Sequence, residues 1–283
     1  MRRRGDPPVV LVHLGSRAPR FLNVSVEQVR AVSGHRPVVI GPGMGAGYRG
    51  EKLDRFRASE QLSRLGLGLF WRYACERFFV LEEYMRRAGL ARCLHIESDV
   101  LIYVAPREYD AWLRQTYGDG VAVCPLTADE DTAAIMYVGS REALARLTDE
   151  LLELVALGPE RLLELHGGPM ANEMRMLRLL RDGGLAGALP TTVAEGEALG
   201  APCLFDPASY GQWIGGTHSR PGVPWAGEHH AIGRDLIATR HEVLWDAHVR
   251  QPLVRQTDDR SGELWRLANL HVHSKHLERW AWA

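Results

Sequence analysis

Two carboxylates interrupt an apolar segment in the first half of the chain, ARCLHIESDVLIYV. Leu94 and Ile96 would share one face of a strand, so we expect the chain to leave its sheet at Glu97 and Asp99. Carboxylate oxygens are the ligands that Mg²⁺ and Mn²⁺ prefer, and such a cation neutralises phosphate charge in transfer reactions. A helix N-cap or a surface turn would explain the same short motif equally well.

A second group of chemically active side chains lies near the end of the chain, in NLHVHSK. His271 and His273 alternate with apolar residues and would share one strand face, an arrangement that suits Zn²⁺. Lys275 follows, and Lys52 is the only other lysine of the chain. Taken alone, the two histidines would also fit a protein core, and Lys275 would fit a solvated helix start.

Charged residues also fall on two predicted helices. The stretch from Leu69 to Ala88 has a stripe of apolar residues at helical spacing, and Arg77 lies within it. Because an unpaired buried charge is costly, we expect Arg77 to snorkel, to join a structural ion pair or to meet a substrate anion. The second helix is predicted to open at Pro169, with Asn172 and Glu173 in its first turn, where an acid complements the helix dipole.

The elements that would position these side chains follow an α/β pattern. A strand at Val9–Leu14, a helix up to Gly34 and a strand in RPVVIG occupy the first forty residues, and such a βαβ unit requires a parallel sheet. We predict an α/β fold with a Rossmann-type open, mostly parallel sheet flanked by helices. Ligands bind such sheets at the carboxyl edge of the strands, where the acidic motif would lie.

Further elements are predicted along the rest of the chain. Strands are expected at VAVCP and AAIMYVG, and helices at REALARLTDELLELV and PMANEMRMLRLL. The stretch GPGMGAGYRG lacks the Lys-Ser/Thr ending of a phosphate-binding P-loop, so we expect an ordinary loop there. Beyond about Gly183 we expect an irregular, loop-rich C-terminal half that contains Trp213, Trp225 and His229-His230.

Length and composition indicate a globular protein and exclude several classes. The chain has 283 residues, 46% of them hydrophobic and 24% charged, and can bury a substantial core. A net charge of −1 provides no basic field for nucleic acid, which we do not expect as a partner. The four cysteines form no CxxC pair, and no apolar run reaches the length of a transmembrane segment. We therefore expect a cytoplasmic protein with reduced thiols.

The segment ERFFVLEEYMRRAGLARCLHIESDVLIY resembles the stretch that leads into the DxD motif of GT-A-fold glycosyltransferases, in which a helix with an arginine precedes the acidic strand end. Three later segments follow in the same order as in that family: NEMRMLRLL, LFDPASYGQWIGG and NLHVHSK. The last segment is similar to the C-terminal His and Lys with which retaining GT-A enzymes, such as glycogenin and the bacterial lipopolysaccharide galactosyltransferases, hold the metal and the diphosphate. The resemblance extends over roughly Val9 to Lys275.

This resemblance implies a role for each matching residue around the metal. Asp99 and His273 would bind Mn²⁺ or Mg²⁺, and Lys275 would meet the diphosphate. Glu97 would contact the nucleotide ribose or the metal. Two positions depart from the family pattern: Glu97 stands where Asp is usual, and the spacing from His273 to Lys275 is shorter than in the retaining enzymes.

The resemblance also implies contacts to the donor sugar. The first-turn position of Glu173 faces the donor in GT-A enzymes, and Arg77 would bind the donor as well. Asp206 and Gln212 lie among glycines that permit close approach of a ligand, and they are candidates for contacts to sugar hydroxyls. Glu173 and Asp206 are therefore the candidates for the catalytic carboxylate that positions or deprotonates the acceptor hydroxyl.

These expectations together describe a metal-dependent glycosyltransferase. The enzyme would move a sugar from a nucleotide diphosphate donor to the hydroxyl of a small-molecule or saccharide acceptor, with the metal and an ammonium stabilising the departing diphosphate. A single domain is expected, in which residues 1–140 form the nucleotide-binding half. Residues 141–283 would form the acceptor-binding half and carry the C-terminal metal and diphosphate motif.

Two other classes of function stay open at this point. A metallohydrolase would use His271 and His273 as an HxH pair together with Asp99. A non-catalytic carbohydrate-binding protein would stack sugar rings on Trp213 and Trp225. A nucleotide diphosphate that binds only in the presence of Mn²⁺ would favour the transferase over both.

Overall fold

The computed structural model of the chain describes residues 7–41, 43–44, 47–65, 69–166, 172–216, 240–257, 262–273 and 275–282. The sequence expectations for Pro169, Trp225, His229 and His230 lie outside these residues. In the ranges just given, no helix is both long enough and apolar enough to cross a membrane.

Strands and helices alternate along most of the described chain, as the sequence pattern predicts. The strands are β1 (Val9–Val12), β2 (Val38–Ile40), β3 (Cys93–Ile96), β4 (Val100–Ile102), β5 (Val121–Pro125), β6 (Asp131–Val138), β7 (Gly187–Ala188), β8 (His241–Asp246), β9 (Gln251–Gln256), β10 (Trp265–Arg266) and β11 (Asn269–His271). The helices are α1 (Arg20–Ser33), α2 (Glu51–Ser59), α3 (Phe70–Arg87), α4 (Pro106–Tyr117), α5 (Arg141–Ala156), α6 (Gly158–His166), α7 (Glu173–Asp182), α8 (Val193–Leu199) and α9 (Ser209–Gly215).

The central sheet has the strand order β2–β1–β3–β6–β5–β7, and every strand except β6 runs in the same direction. β6 is antiparallel because it follows β5 directly through a short turn, whereas a parallel neighbour would need a longer crossover connection. The predicted open, mostly parallel α/β sheet is confirmed. The β1–α1–β2 unit is also present as predicted, with β1 and β2 paired in parallel.

Helices cover both faces of this sheet, and alternate strand residues face the two layers. Val10 and Cys93 belong to a hydrophobic cluster with α3, α5 and α7. Leu11 and Leu94 belong to a second cluster with α1 and α4. Because both faces are covered, the inner strands are mainly apolar, which is typical of parallel sheets, and His95 of β3 and Asp131 and Thr132 of β6 are buried polar exceptions.

The C-terminal region is more regular than the sequence pattern predicts. Helices α8 and α9 each have seven residues, and β8, β9 and β10 form a separate antiparallel sheet. A seven-residue helix covers only two turns, and β10 has two residues. Elements this short do not produce a recognisable hydrophobic period, so their sequences read as loops.

Helix α7 begins later than predicted. Asn172 is its N-cap, and the Asn172 side chain accepts a hydrogen bond of 2.9 Å from the amide of Arg175. Glu173 is therefore the first helical residue. Asparagine is among the preferred N-cap residues because its side chain satisfies a free amide of the first turn.

Strand β11 brings the end of the chain to the acidic motif. It pairs antiparallel with β4, so that His271 lies opposite Val100. Directly beyond the strand, the amide of Val272 donates a hydrogen bond of 3.0 Å to the carbonyl oxygen of Asp99. The two segments that the sequence analysis singled out for metal chemistry are therefore neighbours in the fold.

Helix α9 approaches β11 so closely that its third residue has no room for a side chain. A Cβ atom at Gly211 would lie 2.2 Å from the carbonyl oxygen of His271. The glycines of this segment suggested room for a ligand in the sequence. At Gly211 the space is filled by the backbone of β11.

We expect Gly211→Ala to lower the free energy of unfolding by about 1–3 kcal/mol, because the added methyl group forces α9 away from β11. Urea unfolding followed by circular dichroism would measure this. Gly47→Ala is the control, since a Cβ atom there meets nothing within 4 Å. Equal stability of the two variants would contradict the close packing of α9 on β11.

Candidate cation and substrate site

A cavity of about 740 Å³ opens at the carboxyl ends of β1 and β3. These two strands are neighbours in the sheet, and the chain order of the strands reverses between them. Ligands of open α/β folds bind at such a switch point. The cavity wall includes His13 after β1, Glu97 and Asp99 after β3, Glu173 at the start of α7, and Lys275.

The turn between β3 and β4 carries both carboxylates of the acidic motif. The side chains of Glu97 and Asp99 are 17% and 7% exposed. The amide of Val100 donates to the carbonyl oxygen of Glu97, which closes the turn. Ser98 Oγ lies 3.1 Å from Nδ1 of His13 and so links this turn to the end of β1. The prediction that the chain leaves its sheet at this motif is confirmed.

Asp99, His271 and His273 form a cluster whose ligand atoms lie within 4.8 Å of one another. Nε2 of His271 is 3.2 Å from Oδ2 of Asp99 and 3.2 Å from Oε2 of Glu97, and its Nδ1 is 3.1 Å from the carbonyl oxygen of Pro207. A carbonyl oxygen only accepts, so Nδ1 carries the proton and Nε2 faces the carboxylates. One carboxylate and two imidazoles fit a divalent metal such as Mn²⁺ or Zn²⁺.

His273 lies in the turn after β11, with its ring perpendicular to that of His271 and 4.3 Å from it between centroids. Nδ1 of His273 is 2.8 Å from Nε2 of Gln212. Gln212 was expected to contact the donor. In the structure it is buried behind His273, and the described cavity wall does not include it.

Lys275 also contacts the acidic turn from the C-terminal segment. Its Nζ donates a hydrogen bond to Oδ2 of Asp99, and the ammonium lies 5.5 Å from the ring centroid of Phe21. Burial lowers the pKa of Lys275 to about 8, although the charge of Glu97 acts in the opposite direction. This ammonium pairs with the carboxylate that is the candidate metal ligand.

Arg77 joins two carboxylates of the site. It lies on the buried face of α3 and is 9% exposed. Its Nη1 is 2.6 Å from Oε1 of Glu97, and its Nη2 is 2.6 Å from Oε1 of Glu173. Of the three possibilities that the sequence left open, the ion pair is the one observed, and Arg77 also lines the cavity.

The pKa values of the two glutamates that share Arg77 shift in opposite directions. Burial acts to raise the pKa of Glu97, but the charges and hydrogen bonds of Arg77 and His271 outweigh it and hold that pKa well below its ordinary value. Burial raises the pKa of Glu173 to about 7 against the charge of Arg77, and the charge of Glu97 adds to the shift. Burial acts to lower the pKa of His271, yet Glu97 holds that pKa above its ordinary value.

Asp206 is fully buried, and both of its carboxylate oxygens are occupied by the backbone. Hydrogen bonds of 2.8–3.0 Å reach them from the amides of Ala208, Tyr210, Gly211 and His271. The described cavity wall does not include Asp206. This placement differs from the expected catalytic role, because no oxygen is left for a substrate. Asp206 instead connects α9 to β11.

His13, which lines the cavity, was not among the predicted site residues, and His271 was expected to act only in the alternative metallohydrolase. His13 is the first polar residue after β1, and polarity at the carboxyl end of a central strand was the available signal. Trp213, expected to stack on sugars in a binding protein, packs against the hydrophobic cluster of the C-terminal region.

We expect Glu173→Gln to remove a pH-dependent loss of stability. The pKa of Glu173 is about 7 in the folded chain against an ordinary value of 4.5, so the free energy of unfolding falls as pH rises between these values. Glutamine resembles the protonated form at every pH. The variant should match the wild type near pH 4.5 and exceed it by roughly 1–3 kcal/mol at pH 8.

Urea unfolding between pH 4.5 and pH 8 would measure this difference. The same substitution at Glu150, an exposed residue of α5, is the control. A difference between Glu173→Gln and wild type that does not change with pH would contradict the raised pKa.

Comparisons with known proteins found solved structures that this chain resembles. No family model and no curated protein match the sequence. The chain is similar to the galactosyltransferase LgtC, which was solved with donor and acceptor sugar analogues. The two sequences are 14% identical, the match covers 94% of this chain and 86% of that chain, and the TM-score is 0.46. It is also similar to mouse xyloside xylosyltransferase 1 in its apo form. The sequences are 11% identical, the match covers 65% of this chain and 85% of that chain, and the TM-score is 0.44. A third similar structure is a glycosyltransferase involved in glycosylation of the major capsid of PBCV-1. It is 11% identical to this chain, the match covers 68% of this chain and 89% of that chain, and the TM-score is 0.38. At these values the likeness assigns no activity to this chain.

Proposed function

We propose that the protein is a divalent-metal-dependent glycosyltransferase that moves a sugar from a nucleotide diphosphate donor to an acceptor hydroxyl. The observation that carries the proposal is the meeting of Asp99, His271, His273 and Lys275 in one cavity at the carboxyl edge of the sheet. A cation and an ammonium stabilise the charge of a bound diphosphate, and this cavity offers cation ligands beside an ammonium. A volume of about 740 Å³ lies within the range of small-molecule sites.

Asp99, His271 and His273 are the residues that would hold the cation. When bound, the cation would supply neutralisation of the charge that develops on the leaving diphosphate. Mg²⁺ prefers oxygen ligands and water, so two imidazole ligands favour Mn²⁺. Of the two metals expected from the sequence, we therefore propose Mn²⁺. Glu97 is held by Arg77 and His271, which supports a contact to the ribose rather than to the metal.

Lys275 would change partner when the ligands bind. The ammonium of Lys275 pairs with Asp99. A metal bound to Asp99 would lie close to this ammonium, and the two positive charges would repel each other strongly. The diphosphate, as an anion beside the same metal, offers the ammonium a new partner. The compact charge of a lysine suits such a position.

Arg77 and Glu173 line the wall on which we place the donor sugar. A pKa of about 7 allows Glu173 to accept a proton near neutral pH, as a base for the acceptor hydroxyl must. Arg77 would hold this carboxylate in position through its 2.6 Å contact. We assign the catalytic carboxylate to Glu173 and leave Asp206 out of the reaction, because its oxygens are already occupied.

Both halves of the chain contribute to the proposed site. Residues 1–140 would bind the nucleotide, and residues 141–283 would bind the acceptor and close the site with the C-terminal motif. A cytoplasmic location remains a prediction from the sequence.

A metallohydrolase would use the same three metal ligands, so the cluster alone does not separate the two functions. Lys275 beside the cluster and the position at the switch point of an open sheet favour a nucleotide diphosphate. For a carbohydrate-binding protein, the packing of Trp213 against the C-terminal hydrophobic cluster leaves only part of this expected stacking residue exposed.

The products formed from nucleotide sugars test this function. With Mn²⁺ and a panel of nucleotide sugars, a glycosyltransferase that uses water as the acceptor breaks the bond between the anomeric carbon and the diphosphate oxygen. The anomeric carbon then bonds to the water oxygen, and a nucleoside diphosphate and the free sugar are released. A metallohydrolase that attacks the diphosphate would release a nucleoside monophosphate and a sugar phosphate. The second product pair would contradict the proposal, as would a failure of every nucleotide diphosphate to bind with Mn²⁺.

Asp99→Asn should lower this Mn²⁺-dependent turnover at least 100-fold, because the neutral amide is a poor metal ligand. Asp119→Asn, on an exposed loop, is the matched control. Circular dichroism would verify that both variants fold. Wild-type turnover by a folded Asp99→Asn variant would contradict the assignment of Asp99.

Lys275→Ala should act in opposite directions on two ligands. Removing the ammonium frees Asp99, so Mn²⁺ alone should bind several-fold more tightly. A nucleoside diphosphate added with Mn²⁺ should bind at least tenfold more weakly, since it loses a charge-assisted hydrogen bond. Isothermal titration calorimetry measures both affinities, with Lys275→Arg as the charge-preserving control. Weaker binding of Mn²⁺ alone by Lys275→Ala would contradict this exchange of partners.

A further inference from the structure

The cavity has a charged part and an apolar part. Its charged side chains lie around the acidic turn, where Arg77 and Lys275 contact Glu97 and Asp99. The described wall also includes apolar and aromatic side chains of three segments: Phe70, Tyr73 and Ala74 of α3, Met174 of α7 and Leu126 after β5. The two parts of the cavity suit different portions of the substrates.

The apolar part begins at the ion pair of Arg77 and follows one face of α3. Four residues that line the cavity recur at the spacing of a single helix face: Phe70, Tyr73, Ala74 and Arg77. With a rise of about 1.5 Å per residue, Phe70 lies roughly 10 Å from Arg77 along the helix axis. Apolar surface therefore extends away from the guanidinium along α3.

Helix α7 adds to this surface beside the candidate catalytic carboxylate. Glu173 contacts Arg77 at 2.6 Å, and Met174 follows Glu173 in the first turn of α7. Four residues form what we call the apolar strip: Phe70, Tyr73, Ala74 and Met174. A group bound along the apolar strip therefore lies next to Glu173.

The outer end of the apolar strip is open to solvent. Phe70 is 56% exposed, and the edge-on contact between its ring and that of Trp71 has 4.9 Å between the centroids. Trp71 is 5% exposed and supports the ring of Phe70 from the core side. An exposed aromatic ring that continues the wall of a cavity gives a bound ring a surface to pack on.

The apolar strip offers a bound group little hydrogen bonding. Of its four side chains, only that of Tyr73 has a hydroxyl that can donate or accept a strong hydrogen bond. Most saccharide hydroxyls placed there would leave water without a replacement partner, which costs free energy. An aromatic ring would lose no hydrogen bonds and would gain by leaving water.

We propose that the acceptor carries its reactive hydroxyl on an uncharged aromatic group, which packs on the apolar strip. The inference rests on the proposed glycosyltransferase function and narrows the acceptor from a small molecule or saccharide to this class. In the transfer, the bond between the anomeric carbon and the diphosphate oxygen breaks, and its electron pair leaves with the diphosphate. The acceptor oxygen bonds to the anomeric carbon, and its proton passes to Glu173.

Two acceptors of opposite polarity test this inference: 2-phenylethanol and glucose. Each is supplied with Mn²⁺ and the nucleotide sugar that the wild type turns over, and mass spectrometry measures the glycosylated product. We expect kcat/KM for 2-phenylethanol to exceed that for glucose roughly tenfold or more, because burial of a phenyl ring favours binding by at least this factor.

Phe70→Ala should raise the KM for 2-phenylethanol roughly tenfold, because the acceptor loses the ring on which it packs. Leu69→Ala is the matched control, since Leu69 is 43% exposed and lies outside the described cavity wall. This control should keep the KM of the wild type. Calorimetry with Mn²⁺ and the nucleoside diphosphate of the donor should give the same affinity for both variants, because the apolar strip lies apart from the charged part.

Three results would overturn the inference while leaving a transferase in place. These are a kcat/KM for glucose that matches that for 2-phenylethanol, an equal KM in Phe70→Ala and Leu69→Ala, and weaker binding of the nucleoside diphosphate by Phe70→Ala. The last result would place part of the donor on the apolar strip. Release of the nucleoside diphosphate with water as the acceptor tests the proposed function separately. If no nucleotide sugar is turned over, that function is wrong and the inference falls with it.

Discussion

The pairing of β11 with β4 is the constraint on which the whole site depends. It joins two segments about 170 residues apart in the chain, and so brings the C-terminal histidines and Lys275 to the acidic turn. Asp206 fixes this arrangement, because its carboxylate accepts the amide of His271 and three amides of α9 and the segment before it. Leu270 and Val272 anchor the same segment in the hydrophobic core. The framework therefore rests on backbone hydrogen bonds and apolar packing, which changes in the cation ligands would leave intact.

The charged side chains of the cavity are paired with one another. Glu97 contacts Arg77 and His271, and Asp99 contacts Lys275. An unpaired buried charge would cost several kcal/mol, and these pairs avoid that cost. A metal and a diphosphate, which carry opposite charges, would exchange partners with the internal pairs and add little net charge to the cavity. In the proposed enzyme, a metal alone or a diphosphate alone would compete with a side chain for its partner, whereas the two together would replace both partners of the Lys275–Asp99 pair.

The sequence predicts the elements of the site better than the contacts between them. The strand before the acidic turn and the helix that carries Arg77 are predicted correctly, because hydrophobic periodicity reports directly which face of an element is buried. The contact of Lys275 with Asp99 leaves no local pattern, since it depends on the pairing of distant strands. Asp206 shows how a local pattern misleads: nearby glycines suggested room for a ligand, but Gly211 gives room to the backbone of β11. The position of Asp206 follows from packing that only the complete fold defines.

In the proposed enzyme, one divalent cation binds where the acidic turn meets the C-terminal segment. Anomalous X-ray scattering from crystals grown with Mn²⁺ and a nucleoside diphosphate would locate this cation. We expect one strong peak at roughly 2.0–2.3 Å from an oxygen of Asp99 and from a nitrogen of both His271 and His273, with the diphosphate beside Lys275. A peak on other residues, or an Asp99 still bound to the ammonium of Lys275 with the nucleotide present, would contradict it.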